Sequence, residues 1–387
     1  MRKMSSRLAA AFLGGLLLWT LWAALSPRSQ WDLKVYMGCS RALAQGDDPY
    51  RQDQFLNGVG FPCLYTPVIL DAYRPFAKLC DATRTQAGRH LWSLLKILAA
   101  VALIFIWKKW FIPLRLGLYP TLFLALAYGG PFLLDFRCGN AASFEQVVLW
   151  AGFAALVSQR DWLFGGLIAL AALVKFTPLA FLGLLLLRPK PRWTVFAGSL
   201  ALFTALMGLN QVLHPGLLSE YLRQLSGGDQ AWHYEGGPNN CSTFAFLEQG
   251  FEDLLAGRAR ATLLAQIICA PLAAAILWIS VQTLRHLKTD KERILFSCLA
   301  YALLVPRMKD YTFILLLAPT FFILESPISA GLRWSILALA FLNSTKGLAK
   351  TAGLGHLSFL FAYFKLYAAV LAWWAYVKSS YKIEKKS

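Results

Sequence analysis

Apolar residues along the chain gather into blocks separated by short polar stretches. The blocks run Leu8–Leu25, Leu91–Trp107, Leu116–Leu134, Phe144–Ser158, Trp162–Val174, Phe176–Leu187, Thr194–Leu213, Ala261–Leu284, Ile294–Val305, Tyr311–Leu324, Leu332–Leu342 and Leu357–Val377. A helix needs roughly 20 mostly apolar residues to cross a bilayer core, so the pattern predicts an all-α polytopic membrane protein with about 10–13 transmembrane helices. Residues 1–387 read as a single integral membrane domain. Several blocks are too short to cross unaided. The pair flanking Lys175-Phe176-Thr177-Pro178 reads as two short helices turning at membrane depth, because Pro178 lacks the N–H that would continue a helix. Tyr65–Leu79 is apolar but carries Asp71, Arg74 and Lys78. It is expected to form an amphipathic or re-entrant segment on the outer face. The first block follows Arg2, Lys3 and Arg7 and outruns a signal-peptide core, so it is expected to stay as an uncleaved helix.

Composition sharpens this picture. Of the 387 residues, 57% are hydrophobic and only 15% charged, and the mean hydropathy is +0.51. These values exclude a soluble globular domain, a disordered chain and a small disulfide scaffold. The net charge of +18 would suit nucleic acid, but its placement points elsewhere. With the amino terminus inside and each block crossing once, the clusters Arg2–Arg7, Lys108-Lys109, Arg188–Arg192, Arg285–Arg293 and Lys378–Lys386 fall on one side, and the other side is close to neutral. That is the positive-inside bias. It predicts cytoplasmic termini, with Asp32 and Asn239 outside, in a multi-pass protein of the cytoplasmic (inner) membrane, and no nucleic-acid partner. Two outer-face loops are long, 26–90 and 214–260, as functional loops tend to be. No GxxxxGK[ST] or GxGxxG motif occurs, which argues against an ATP-driven pump or a nucleotide-sugar enzyme.

The first outer loop opens with a carboxylate, Asp32, a few residues beyond the first apolar block and thus at headgroup level. Tyr36 follows, then Gln45-Gly46-Asp47-Asp48-Pro49-Tyr50, then Tyr65-Thr66-Pro67. This order resembles the first luminal loop of polyprenyl-phosphate-sugar-dependent glycosyltransferases of the GT-C fold. It is most similar to the bacterial family 87 mannosyltransferases, and the Tyr-Thr-Pro matches the first mannosyltransferase of GPI-anchor assembly. Gly139-Asn140 through Gln146, Gly165-Gly166 through Lys175 and Pro178, and Pro238-Asn239-Asn240-Cys241-Ser242 resemble later motifs of the same family. Two departures stand out: GNAASFEQ replaces a Gly-Gln-x-Asn order, and Arg307-Met308-Lys309-Asp310-Tyr311 stands where members often carry His-Tyr.

The resemblance implies a membrane-embedded, inverting transfer of a hexose, mannose in those families, from a polyprenyl-phosphate sugar to a lipid or glycan acceptor on the periplasmic or luminal face. No cofactor or metal is expected beyond that lipid-linked donor. The chemistry requires a base for the acceptor hydroxyl and cations for the departing phosphate. Asp32 is the candidate base. Arg137, Lys175, Arg307 and Lys309 are the candidate phosphate-binding residues, and Tyr36, Asp48, Tyr50, Tyr65, His233 and Asn240 the candidate sugar or acceptor contacts. Blander roles compete: Asp48 as a turn residue, Lys175 capping half-helix carbonyls, and His233 as an interfacial anchor. Lys175 attracts attention because an ionised group in an apolar hairpin is costly. Lys96 and Lys365 also lie inside apolar blocks. No histidine sits at metal-ligand spacing. The seven cysteines leave at least one unpaired; Cys39, Cys63, Cys138 and Cys241 fall near the outer face, and the spacing selects no pair. A transporter or flippase of a lipid-linked glycan is the competing class, and a glycan polymerase or ligase the third.

Overall fold

A computed structural model of the chain describes residues 30–50, 63–83, 86–114, 117–225, 239–255 and 257–384, with scattered helical positions between Leu8 and Leu18. Every regular element among the described residues is helical. The chain forms two compact units. One comprises residues 1–106, 132–186 and 190–233, and the other 107–131, 187–189 and 234–387.

The chain enters the described region through α1 (Trp31–Gln45), α2 (Pro67–Asp71) and α3 (Arg74–Thr83). The described part of the expected first outer loop is therefore largely helical. Its α1 presents Leu33, Tyr36, Met37, Ser40 and Leu43 to the interior and stops at Gly46, whose φ of 83° lets the chain cap its last carbonyls. Pro67 starts α2, where its missing N–H costs nothing. The Tyr65–Leu79 segment thus forms two short helices joined at Ala72-Tyr73, and α3 is amphipathic, with Ala77 buried and Lys78 and Asp81 exposed. Cys39 of α1 and Cys63 form a disulfide, a pairing that spacing alone did not select.

Helix α4 (Ala87–Ile106) continues through a π-helical turn to Phe111. Together with α9 (Trp193–Leu213) and α10 (Arg258–His286) it is long and apolar enough to cross a membrane. Between them lie shorter pieces: α5 (Leu118–Leu126), α6 (Pro131–Cys138), α7 (Ala142–Val157) and α8 (Asp161–Val174). The expected break at Lys175 is present. Lys175 is extended (φ −148°, ψ 136°), and the following apolar block, Thr177–Leu185, winds as a 3-10 helix beginning at Thr177-Pro178.

Two blocks read from sequence as continuous are broken as well. Leu116–Leu134 is interrupted where Tyr128, Gly129 and Gly130 take φ of 57°, 76° and 66°. Tyr128 is held there by stacking on Phe313 at 5.3 Å and by a 2.8 Å hydroxyl contact with Thr320. Leu357–Val377 splits at Tyr363 into a 3-10 stretch, Gly355–Ala362, and a long helix, Phe364–Glu384. The Tyr363 hydroxyl donates to the Ala245 carbonyl at 2.9 Å, which anchors the break. Side-chain partners far along the chain pay for these non-helical residues, so local apolarity did not reveal them.

The disulfide closes a 24-residue separation. A bridge of that loop size stabilises by about 3 kcal/mol. The double variant Cys39→Ser/Cys63→Ser should therefore melt earlier in detergent. In the unfolded wild type, a maleimide should label these two cysteines only after reduction; labelling without reductant would remove the bridge.

Candidate active site

Asp32 occupies the first turn of α1, where a carboxylate is stabilised by the helix dipole. It is helical and half-buried. Gln30, immediately before the helix, is fully buried in a left-handed conformation (φ 57°). A non-glycine residue persists there only when its surroundings over-determine it, and several groups do so. Gln30 N–H donates to the Arg137 carbonyl at 2.7 Å, and its side-chain amide donates to Ser93 Oγ at 2.7 Å. Gly139 (φ +71°) lies against Gln30, and a Cβ there would stand 2.9 Å from the Gln30 Cβ. Glycine is required at 139 on both counts.

From that clasp the chain passes to Asn140, a residue named in sequence only as part of a motif. Its Oδ1 accepts the Ala142 N–H at 3.0 Å, which fixes the amide orientation and turns Nδ2 toward α1. Nδ2 donates to Asp32 Oδ2 at 2.7 Å and to the Tyr36 hydroxyl at 2.8 Å. Tyr36 in turn meets the Tyr65 hydroxyl at 2.8 Å, and the Tyr50 hydroxyl donates to the Tyr65 carbonyl at 2.6 Å. Asp32, Tyr36, Tyr50 and Tyr65 are thereby brought into one connected network. Tyr73 packs 4.8 Å from Tyr36 and 5.5 Å from Trp92, and Trp92 Nε1 donates to the Gly139 carbonyl at 3.0 Å. Burial first, and the Asp32 and Asp135 carboxylates next, push the Tyr73 phenol well above its ordinary pKa. Burial does the same for Tyr50, so both stay neutral.

Beneath Asn140 lies a group that sequence reading passed over. Lys96 of α4 is 1% exposed and Asp135 of α6 is fully buried. Lys96 Nζ contacts Asp135 Oδ2 at 2.8 Å and donates to the carbonyls of Asp135 and Asn140, each at 2.6 Å. Ser143 Oγ donates to the same Asp135 oxygen. The ammonium thus fixes both sides of the 135–140 turn that carries Gly139 and Asn140. Holding an ionised group among apolar residues costs more at Lys96, 1% exposed, than at Lys175, 31% exposed.

The other candidates are arranged differently. Lys175 pairs with Glu145 of α7 at 2.7 Å, the carboxylate being 5% exposed and the ammonium 31%. Asp48 Oδ1 accepts the Tyr50 N–H at 2.9 Å, the turn geometry of its blander reading. Arg137 is exposed at the end of α6. In the second unit, Asn240 is buried and its Oδ1 accepts the Met308 N–H at 2.8 Å. Cys241 N–H donates to the Met308 carbonyl at 3.0 Å, and Ser242 Oγ to the Pro306 carbonyl at 2.7 Å. Asn240, Cys241 and Ser242 therefore pin the extended segment bearing Arg307 and Lys309, both half-buried. Lys365 pairs with Asp310 at 2.7 Å just beyond it. His233 lies outside the described residues.

The family model described as glycosyltransferase family 87 matches residues 64–306. No curated protein matches the chain.

Two ion pairs yield parallel expectations. Removing one partner of a buried pair costs about 3–5 kcal/mol. Lys96→Met should therefore abolish the monodisperse gel-filtration peak, and adding Asp135→Leu should recover part of it; a stable single variant would show that the pair does not hold the turn. Lys175→Met should likewise lower the melting temperature, and Glu145→Gln in the same chain should restore it if Lys175 serves mainly to neutralise Glu145. No restoration would favour a ligand-facing role for Lys175 over charge compensation.

Proposed function

Because the chain belongs to glycosyltransferase family 87, we propose that it transfers a hexose, mannose on the strength of its motifs, from a polyprenyl-phosphate sugar to a lipid or glycan acceptor on the outer face of the inner membrane. The observation that carries this reading is the carboxylate of Asp32, oriented by Asn140 and bordered by Tyr36 and Tyr65. One carboxylate is enough for direct displacement. Asp32 takes the proton of the acceptor hydroxyl as that oxygen bonds to the anomeric carbon. The bond from that carbon to the phosphate oxygen breaks on the opposite face, and the polyprenyl phosphate leaves with the electron pair. The configuration at the anomeric carbon inverts.

The departing phosphate calls for cations. Arg137 and Lys175 in the first unit, and Arg307 and Lys309 in the second, remain the candidates. The side of the membrane is supported by the Cys39–Cys63 bridge, which lies on the same helix as Asp32. Such bonds persist in oxidising compartments and are rare in the cytosol.

Purified protein given polyprenyl-phosphate mannose and a labelled acceptor extract provides the test. Asp32→Asn keeps the shape of the carboxylate without its basicity and should lower turnover by about 10²–10⁴-fold. The exposed Asp47→Asn should stay within a few-fold of wild type. Near-normal turnover by Asp32→Asn would reject the base; absence of transfer by the wild type with any such donor would favour the transporter reading. Arg307→Met should impair turnover with the lipid donor in a folded protein, and full activity would remove it from the phosphate candidates.

A further inference from the structure

Helix α9 is apolar, and of its 21 residues only Val195, Ser199 and Asn210 are buried. Asn210, in the last turn, is buried completely. A polar side chain turned inward by a helix long enough to cross a membrane calls for a partner. Asn210 has that partner in α2. Its Nδ2 donates to the Leu206 carbonyl of its own helix at 3.0 Å, which orients the amide, and its Oδ1 accepts the Val68 N–H at 2.9 Å. Val68 belongs to the first turn of α2, where N–H groups have no acceptor within the helix. Thr66, placed to cap that turn, makes no capping bond; its Oγ1 donates instead to the Leu173 carbonyl at 3.3 Å, in the last turn of α8.

His214 follows the final residue of α9, and its N–H still donates to the Asn210 carbonyl at 2.9 Å. Its Nε2 meets Asp71 Oδ2 at 2.8 Å, at the far end of α2. The other Asp71 oxygen meets Arg74 at 2.9 Å. A carboxylate only accepts, so Nε2 carries the hydrogen of the His214 ring. With five residues, α2 is too short to keep its shape alone. The end of α9 grips it at both ends. Tyr65 lies just before α2 and Tyr73 just after it, their rings 4.7 and 4.8 Å from Tyr36. Beyond His214 the chain turns at Gly216 (φ 82°), and Tyr221 of the next helix, Leu217–Leu225, lies 5.7 Å from Tyr50. The end of α9 thus stands behind Tyr50, Tyr65 and Tyr73, whereas Asp32 is held by Asn140.

We infer that Asn210 and His214 are positioning residues: through α2 they set the tyrosines that receive a substrate sugar, while the Asp32 carboxylate is set separately. They act on binding more than on the proton transfer. The consequence for turnover rests on the reaction proposed for Asp32; the grip of α9 on α2 does not.

Full-length protein in detergent, followed by hydrogen–deuterium exchange and by turnover, provides the test. His214→Leu should speed amide exchange across residues 65–79 by about tenfold, the size of one hydrogen bond to a charged group, and leave the start of α9 unchanged. Asn210→Leu should act in the same direction. With polyprenyl-phosphate mannose as donor, both variants should raise KM for donor or acceptor by about tenfold and keep kcat within about threefold of wild type, the reverse of Asp32→Asn. His214→Gln keeps an N–H donor and should restore both exchange and KM. Unchanged exchange over residues 65–79 in His214→Leu, a fall in kcat with KM unchanged, or His214→Gln no better than His214→Leu would overturn the inference. Absence of transfer by the wild type with any such donor would reject the reaction, and the exchange measurement would still decide whether α9 holds the segment.

Discussion

An ammonium group held inside the first unit, Lys96 against Asp135, is the constraint on which the arrangement around Asp32 rests. Removing two charges from water is expensive, and a buried pair is favoured by close geometry and by further hydrogen bonds to its charged groups. Here the cost is offset by two backbone carbonyls and by Ser143. Because those carbonyls belong to Asp135 and Asn140, the pair locks the turn that carries the site. A hydrophobic substitute could fill the same space, but it could not hold two carbonyls at set positions.

Rigidity then passes outward through short, directional contacts. Asn140 has one amide oxygen and one amide nitrogen, and both are committed: the oxygen to the Ala142 N–H, the nitrogen to Asp32 and Tyr36. Gly139 allows the turn to approach Gln30 closely enough for Gln30 to stay left-handed at the head of α1. Farther along α1, Cys39 ties the helix covalently to Cys63, two residues before Tyr65. The helix that bears the carboxylate is thus fixed near its start by hydrogen bonds and again two turns later by a covalent bond.

The second unit handles charge in a similar way. Backbone groups of Pro306 and Met308 are taken up by Asn240, Cys241 and Ser242, which pairs three peptide groups of a non-helical segment. Lys365 meets Asp310 beside it, and a Cβ on Gly129 would stand 2.9 Å from the Lys365 Cε, so only glycine fits that close approach. In both units, then, a lysine inside an apolar block is paired with a carboxylate from another segment.

By itself, the sequence determined what depends on nearest neighbours and period. Runs of apolar residues specified helices and their membrane character, Pro178 after Lys175 specified a break, and the order Asp32, Tyr36, Tyr50, Tyr65 identified the family later matched over residues 64–306. Tertiary structure alone decided which polar groups meet. Asn140 reaches Asp32 across 108 residues of chain, and Lys96 reaches the Asn140 carbonyl across 44. Lys96 and Lys175 look alike in sequence, each a lysine among apolar residues; one is sealed beneath the turn, and the other faces Glu145 with a third of its side chain exposed. The breaks at Tyr128 and Tyr363, and the choice of Cys63 as the partner of Cys39, belong to the same class. Hydrophobic pattern records how much surface a segment must bury, whereas the pairing of a charge, a thiol or a left-handed residue depends on a partner that only the folded chain brings within 3 Å.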